Sequence, residues 1–230
     1  MPIVRIGSSL VYYAHVPKCA GTSVEHYLIE RFGPLAFLNG DRKTPGPQRW
    51  SATSPQHIDV STLQGLFPPD FFETSFAVVR HPVSRMVSAF GFHQARRLIP
   101  LRMTFETWLT TYARDRETTP YQFDNHLRRM TEIVPDGAHV FKMEEEGLKA
   151  IVPWLDTLAG NDAGPREIPK ANKTDDVIWK SRTPWKEWIR SRLQADKPPV
   201  NDTTCSLVYS LYKEDYDRFG YDPAGPPKRA

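Results

Sequence analysis

The chain predicts an α/β fold: a single three-layer domain with a central, largely parallel sheet and a P-loop-like strand–loop–helix phosphate site. Three observations lead there. Short, β-prone apolar runs alternate with longer stretches of helical period. Two of those runs pass directly into a helix start that carries basic and hydroxyl side chains. With 230 residues, 40% of them apolar and 25% charged, the chain can build one sizeable core and is too apolar for general disorder.

The elements follow in order. Leu10–Val16 is a short apolar run that reads as a buried strand. From Gly21 the period changes, with Val24, Tyr27, Leu28 and Phe32 on one helical face until Gly33-Pro34 stops it. Asn39–Pro55 is a proline-rich loop. Ser75–Val79 is a second buried strand, and the helix after Pro82 presents Val83, Met86, Val87 and Phe90 on one face. Ala138–Phe141 reads as a third strand. Helices are expected over Phe105–Arg114, Gln122–Thr131, Leu148–Leu158 and Ser206–Phe219, with loops at Asn161–Asp176 and Lys197–Asp202. The domain is expected to span residues 1–222, and Pro223–Ala230 to form a flexible tail.

Composition narrows the function classes. Thirty Lys and Arg against 27 Asp and Glu leave a net charge of +3, which does not mark a nucleic-acid binder. Two cysteines, Cys19 and Cys205, rule out a disulfide framework and a multi-cysteine metal centre. Neither an H-E-x-x-H motif nor a Cys/His cluster is present, so no metal is expected. No run approaches the ~20 apolar residues needed to span a bilayer, and the expectation is a soluble, cytoplasmic protein.

Chemistry concentrates at the two strand–helix junctions. His15-Val-Pro-Lys-Cys-Ala-Gly-Thr-Ser23 ends the first strand and opens the first helix. A helix start offers unpaired N–H groups and about half a positive charge to an anion. Lys18 adds a full cation, Thr22 and Ser23 add hydroxyls, and Gly21 permits close backbone approach. This is not the Walker spelling, in which the lysine follows the glycine. An ordinary capped turn explains the loop alone about as well.

The second junction reads Val78-Val-Arg-His-Pro-Val-Ser-Arg-Met-Val-Ser-Ala-Phe90. A P-loop kinase needs an acid at such a strand end to hold Mg²⁺; here Arg80 stands there. Arg80 with Ser88 suits a second phosphate, and Arg85 is either a third anion contact or a solvent-facing side chain. The two motifs together suggest a nucleotide with phosphates at two separate positions, held without a dedicated metal.

This pair of motifs resembles the sulfotransferases that use 3′-phosphoadenosine 5′-phosphosulfate (PAPS), and within them the carbohydrate branch that includes the heparan sulfate O-sulfotransferases. The resemblance implies PAPS as sulfuryl donor. Lys18, Cys19, Ala20, Gly21, Thr22 and Ser23 would lie on its 5′-phosphosulfate, and Arg80 and Ser88 on its 3′-phosphate. It extends more loosely to His139–Glu144, to Asn172-Lys-Thr174 and to Tyr209–Tyr221. Asn172 and Lys173 would sit in a loop that closes over the nucleotide. Family members commonly read K-T-G-G-T where this chain has Lys18-Cys-Ala-Gly-Thr22.

Sulfuryl transfer to a hydroxyl needs a base for the acceptor proton and a cation beside the departing phosphate. Lys18 can supply that cation and is the expected catalytic one. His57, in Ser54-Pro-Gln-His-Ile-Asp-Val60, resembles the segment that carries the family's catalytic base, and a surface-loop histidine is the competing reading. His15 and His81 read as loop-shaping residues. His26, His93, His126 and His139 have no evident partner. Arg128 and Arg129, in a segment resembling one near the acceptor, are candidates for substrate contact, with a solvent-facing helix as the alternative. Trp50, Trp179, Trp185 and Trp188 could stack on sugars, with core packing as the default.

The expected partner is therefore a carbohydrate or other hydroxylated small molecule, with no nucleic acid and no membrane span. Two other functions stay open at this level: a P-loop-type nucleotide kinase, and a non-catalytic module binding a glycan or nucleotide on the same fold.

Overall fold

The computed structural model describes residues 2–38, 51–169 and 200–225. The chain divides into two compact units, Met1–Arg80 with Pro120–Ala171, and His81–Thr119 with Asn172–Ala230.

The first unit is a mixed α/β layer built on a four-stranded sheet. Its strands are β1 (Ile3–Ile6), β2 (Ser9–Ala14), β3 (Thr74–Val79) and β4 (His139–Lys142), in spatial order β1-β2-β3-β4. The pairs β2–β3 and β3–β4 are parallel, with Tyr13 opposite Phe76 and Ala77 opposite Val140. β1 is an antiparallel edge, joined to β2 by a two-residue turn in which Gly7 takes φ 60°. Val11–Ala14 and Phe76–Val79 are almost wholly buried. That is why these central strands read as unbroken apolar runs instead of alternating ones. Each large side chain so buried contributes about 1.5–3 kcal/mol.

Helices flank this sheet. α1 (Gly21–Phe32) buries Val24, Tyr27 and Leu28, and Gly33, at φ 92°, ends it by donating to the Ile29 carbonyl. A 3₁₀ turn (Pro55–His57) leads into α2 (Val60–Leu66). In the second unit, α3 (Pro82–Ala95) and α4 (Phe105–Asp115) share an aromatic cluster of Phe90, His93, Phe105 and Trp108. Back in the first unit, α5 (Gly147–Ala159) places Trp154 against Phe76 and Phe141. α6 (Asp202–Phe219), capped by Asn201, completes the second unit.

Most expected elements are present within a residue or two, but α6 starts at Asp202, four residues before the expected Ser206, because Asn201 and Thr204 form a capping box there; the other exceptions also have causes. β1 is four residues long and carries the exposed Arg5, too little pattern to register. α2 is two turns long. The helix expected over Gln122–Thr131 does not form. Phe123, Asp124 and Asn125 have φ of 52°, 61° and 61°, a left-handed run that breaks any helix, and only a 3₁₀ turn (Met130–Glu132) follows. The apolar spacing there reflects Leu127 and Met130, buried by a string of turns. Glu144–Glu146 form the turn before α5, not its first turn.

Candidate active site

The loop from β2 to α1 has two left-handed residues, Lys18 at φ 68° and Ala20 at φ 62°. Such left-handed residues curl a short backbone into an anion-binding concavity. Ala20 is the N-cap of α1 and has no side-chain acceptor to cover the helix start, and the first turn holds no acid. By contrast α2, α4 and α6 are capped by Asp59, Thr104 and Asn201. The positive end of α1 is therefore left uncompensated by its own side chains. Arg80, at the end of β3, reaches this loop and donates from Nη1 to the Lys18 carbonyl at 3.5 Å. Cys19 is fully buried, with its thiol toward the Pro17 carbonyl, and Ser23 is buried while Thr22 and Lys18 are partly exposed.

Gly21 has a different reason for being glycine than close approach to a ligand. A Cβ there would lie 1.8 Å from Nε2 of His15, so the imidazole occupies the space a side chain would need. The ring is fixed by its Nδ1–H, which donates to Glu25 on the next turn of α1 at 2.5 Å, and by stacking on Tyr13. Burial pushes the Glu25 carboxyl up, but the hydrogen bond and charge of His15 outweigh it and leave the group below its ordinary value.

His57 is buried at the end of the Pro55–His57 turn, its ring edge-on to His15 at 4.7 Å between centroids. Asp124 lies opposite. His57 Nδ1–H donates to Asp124 Oδ2 at 2.8 Å, the Ser54 hydroxyl donates to the same oxygen at 2.7 Å, and the Ser54 N–H donates to Oδ1 at 2.5 Å. Asn125 Nδ2–H holds the His57 carbonyl at 2.8 Å. Burial is the largest influence on His57 and lowers its pKa from 6.5 to about 4; Asp124 opposes this and His15 reinforces it. Asp124 is held well below the usual carboxylate range: burial raises it, but the bonds from His57 and Ser54 prevail. At neutral pH the pair is a neutral imidazole against a carboxylate.

A third ring, His126, meets His57 edge-on at 5.2 Å. His57, Asp124 and His126 present ligand atoms within 4.8 Å of one another, a set able to take a metal ion, although Asp124 already accepts from Ser54 and His57.

Arg128 and Arg129 are not on a helix. Arg128 pairs with Asp59 at 2.7 Å and with Glu132 at 3.1 Å, so its guanidinium ties the α2 cap to the turn region. Arg129 is partly exposed. Ser88 lies on α3 in the second unit, partly buried. Arg85 does not face solvent: it is fully buried in that unit, beside the Tyr212 ring. His81 caps α3, accepting from Val83 N–H, while its other ring nitrogen donates to the Asp222 carbonyl. Asn172, Lys173, Trp50, Trp179, Trp185 and Trp188 lie outside the described residues.

The first unit thus brings together Lys18, Gly21, Ser23, Arg80 and His57, and adds His15, Glu25, Asp124, Asn125 and His126. Asp124 and Asn125 were hidden by a helical reading of their segment. The clue in the sequence was the adjacent Asp-Asn, the two non-glycine residues that best tolerate left-handed backbone.

A family model described as the sulfotransferase family matches residues 3–222. No curated protein and no solved structure matches the chain. Among the described residues, no helix is long and apolar enough to cross a membrane.

Proposed function

The chain belongs to the sulfotransferase family, and we propose that it moves a sulfuryl group from PAPS to a hydroxyl of a carbohydrate or other small acceptor, residues 3–222 forming the catalytic domain. The observation that carries this reading is the position of His57. Its buried, neutral imidazole lies against His15, whose own ring rests on the first residue of α1, at the loop that carries Lys18.

The loop suits an anionic donor: two left-handed residues, an uncapped helix start, and the cations of Lys18 and Arg80. Bound PAPS supplies an activated sulfuryl group whose leaving group is adenosine 3′,5′-bisphosphate. Lys18 to Ser23 would hold the 5′ end, and Arg80 the 3′-phosphate. His57 takes the acceptor's O–H proton as that oxygen bonds to sulfur. Lys18 holds the negative charge that appears on the phosphate oxygen as its bond to sulfur breaks. No step needs a metal. Neither cysteine is in a disulfide, which suits a reducing compartment such as the cytoplasm.

The test is unfolding with adenosine 3′,5′-bisphosphate beside AMP and ATP with Mg²⁺, followed by transfer of radiolabelled sulfate from PAPS to a panel of oligosaccharides and phenols. The bisphosphate without metal should stabilise most, and label should enter an acceptor hydroxyl. A larger shift with ATP and Mg²⁺, or binding without transfer to any acceptor, would overturn the reading.

A further inference from the structure

We propose that Asp124 is the positioning residue of the site, setting the tautomer of His57 so that Nε2 carries the lone pair; this rests on the reading of His57 as the base. A neutral imidazole has one N–H and one acceptor nitrogen, and only the acceptor nitrogen can remove a proton. Asp124 can only accept when ionised, so the nitrogen facing it must be the N–H, and that nitrogen is Nδ1.

The carboxylate has no freedom to do otherwise. Its Oδ1 accepts the Ser54 backbone N–H at 2.5 Å, and its Oδ2 accepts both the Ser54 hydroxyl and His57 Nδ1–H. The backbone beneath it is strained: Phe123, Asp124 and Asn125 are consecutive non-glycine residues at positive φ, a conformation that persists only where surrounding bonds impose it and that clusters at functional sites. The imposing bonds are those to Ser54 and His57, together with Asn125 Nδ2–H to the His57 carbonyl. The run of strained backbone thus grips one short turn, the one that ends in His57.

This arrangement makes a specific variant informative. In Asp124→Asn the oxygen must stay where the Ser54 N–H points, because a backbone amide cannot turn into an acceptor. The new NH₂ then occupies the place of Oδ2 and faces His57 Nδ1. An NH₂ donates, so Nδ1 must accept and the ring proton moves to Nε2. The residue is nearly isosteric, yet it leaves the base with a proton where its lone pair was.

The experiment is long-range ¹H–¹⁵N NMR of the full chain labelled with ¹⁵N-histidine, with His57 assigned from His57→Gln. Wild type should show His57 protonated at Nδ1 and bare at Nε2, and Asp124→Asn should reverse the two. In parallel, release of adenosine 3′,5′-bisphosphate from PAPS with water as acceptor should fall about 10²- to 10⁴-fold in Asp124→Asn, the span that proton transfer by a positioned side chain contributes. Thermal stabilisation by the bisphosphate should be retained, which also verifies that the variant is folded. A wild-type ring protonated at Nε2, or a tautomer unchanged by the substitution, overturns the proposal even if Asp124→Asn folds poorly, since the wild-type spectrum alone can fail it. So does stoichiometric zinc in the purified chain that Asp124→Asn loses, which would make His57, Asp124 and His126 a metal site. If wild type releases no bisphosphate, it is the sulfotransferase reading that fails, while the tautomer result stands separately.

Discussion

His57 ties the chemistry to stability through one proton. Its pKa of about 4 in the folded chain lies below the 6.5 of an unfolded histidine, so between those values the unfolded state binds the proton more readily. The contribution is complete above pH 6.5 and is lost as pH falls through 4, amounting to about 3 kcal/mol over that window. Urea unfolding from pH 7 to 4 should show this slope in wild type, and His57→Gln should remove it. Gly21 is the second residue whose identity decides something. In Gly21→Ala the new Cβ meets a buried ring that is already bonded to Glu25 and packed on His57, so the ring must move. The expected cost is about 1–3 kcal/mol for overpacking, measured by denaturant unfolding. The His57 resonances should shift as well, because the His15 ring lies between Gly21 and His57.

At the scale of elements, the geometry around His57 comes from a segment with no regular structure. The turn region around residues 123–128 holds the Pro55–His57 turn and the start of α2 at four points: Asp124 to Ser54 and His57, Asn125 to the His57 carbonyl, and Arg128 to Asp59. Asn125 serves twice, as a donor and as a residue that accepts left-handed backbone. Asn125→Ala and Asn125→Gly both lose the bond to His57, but only alanine adds backbone strain. Glycine should be the more stable variant by about 1 kcal/mol, a difference that paired melting curves will measure. The three parallel strands and the long helices were legible in the sequence because burial on both faces, or on one face, writes a period into the residues. Gln122–Thr131 was not, because Leu127 and Met130 are buried at a spacing that helices also use. Which way such a segment bends is decided by Asp124's partners, which stand about 70 positions earlier in the chain.

For the whole molecule, the match over residues 3–222 and the mixed sheet agree with the fold that alternating strands and helices implied. The Lys18–Ser23 loop stood out for a simple reason: its residues are consecutive, and helix starts bind anions by rules that need no tertiary context. Adenosine 3′,5′-bisphosphate at ~100 times its Kd should add ~2.7 kcal/mol, a rise in Tm of roughly 5–11 °C for a chain of this size. Lys18→Ala and Arg80→Ala should each remove at least half of it. His57 was singled out from its sequence segment, but its carboxylate, its neighbours His15 and His126, and its neutral state are products of folding. That contrast has a consequence in time as well as in space. The loop from Lys18 to Ser23 is written in six adjacent residues, whereas the His57–Asp124 pair proposed to take the acceptor proton exists only while two segments 67–70 positions apart stay closed on each other. Local opening is therefore expected to separate His57 from Asp124 before it dismantles the loop. The Ser54 amide, whose proton is bound to Asp124, is a clock for that event: its rate of exchange with deuterium counts how often the turn that carries His57 lets go of its carboxylate.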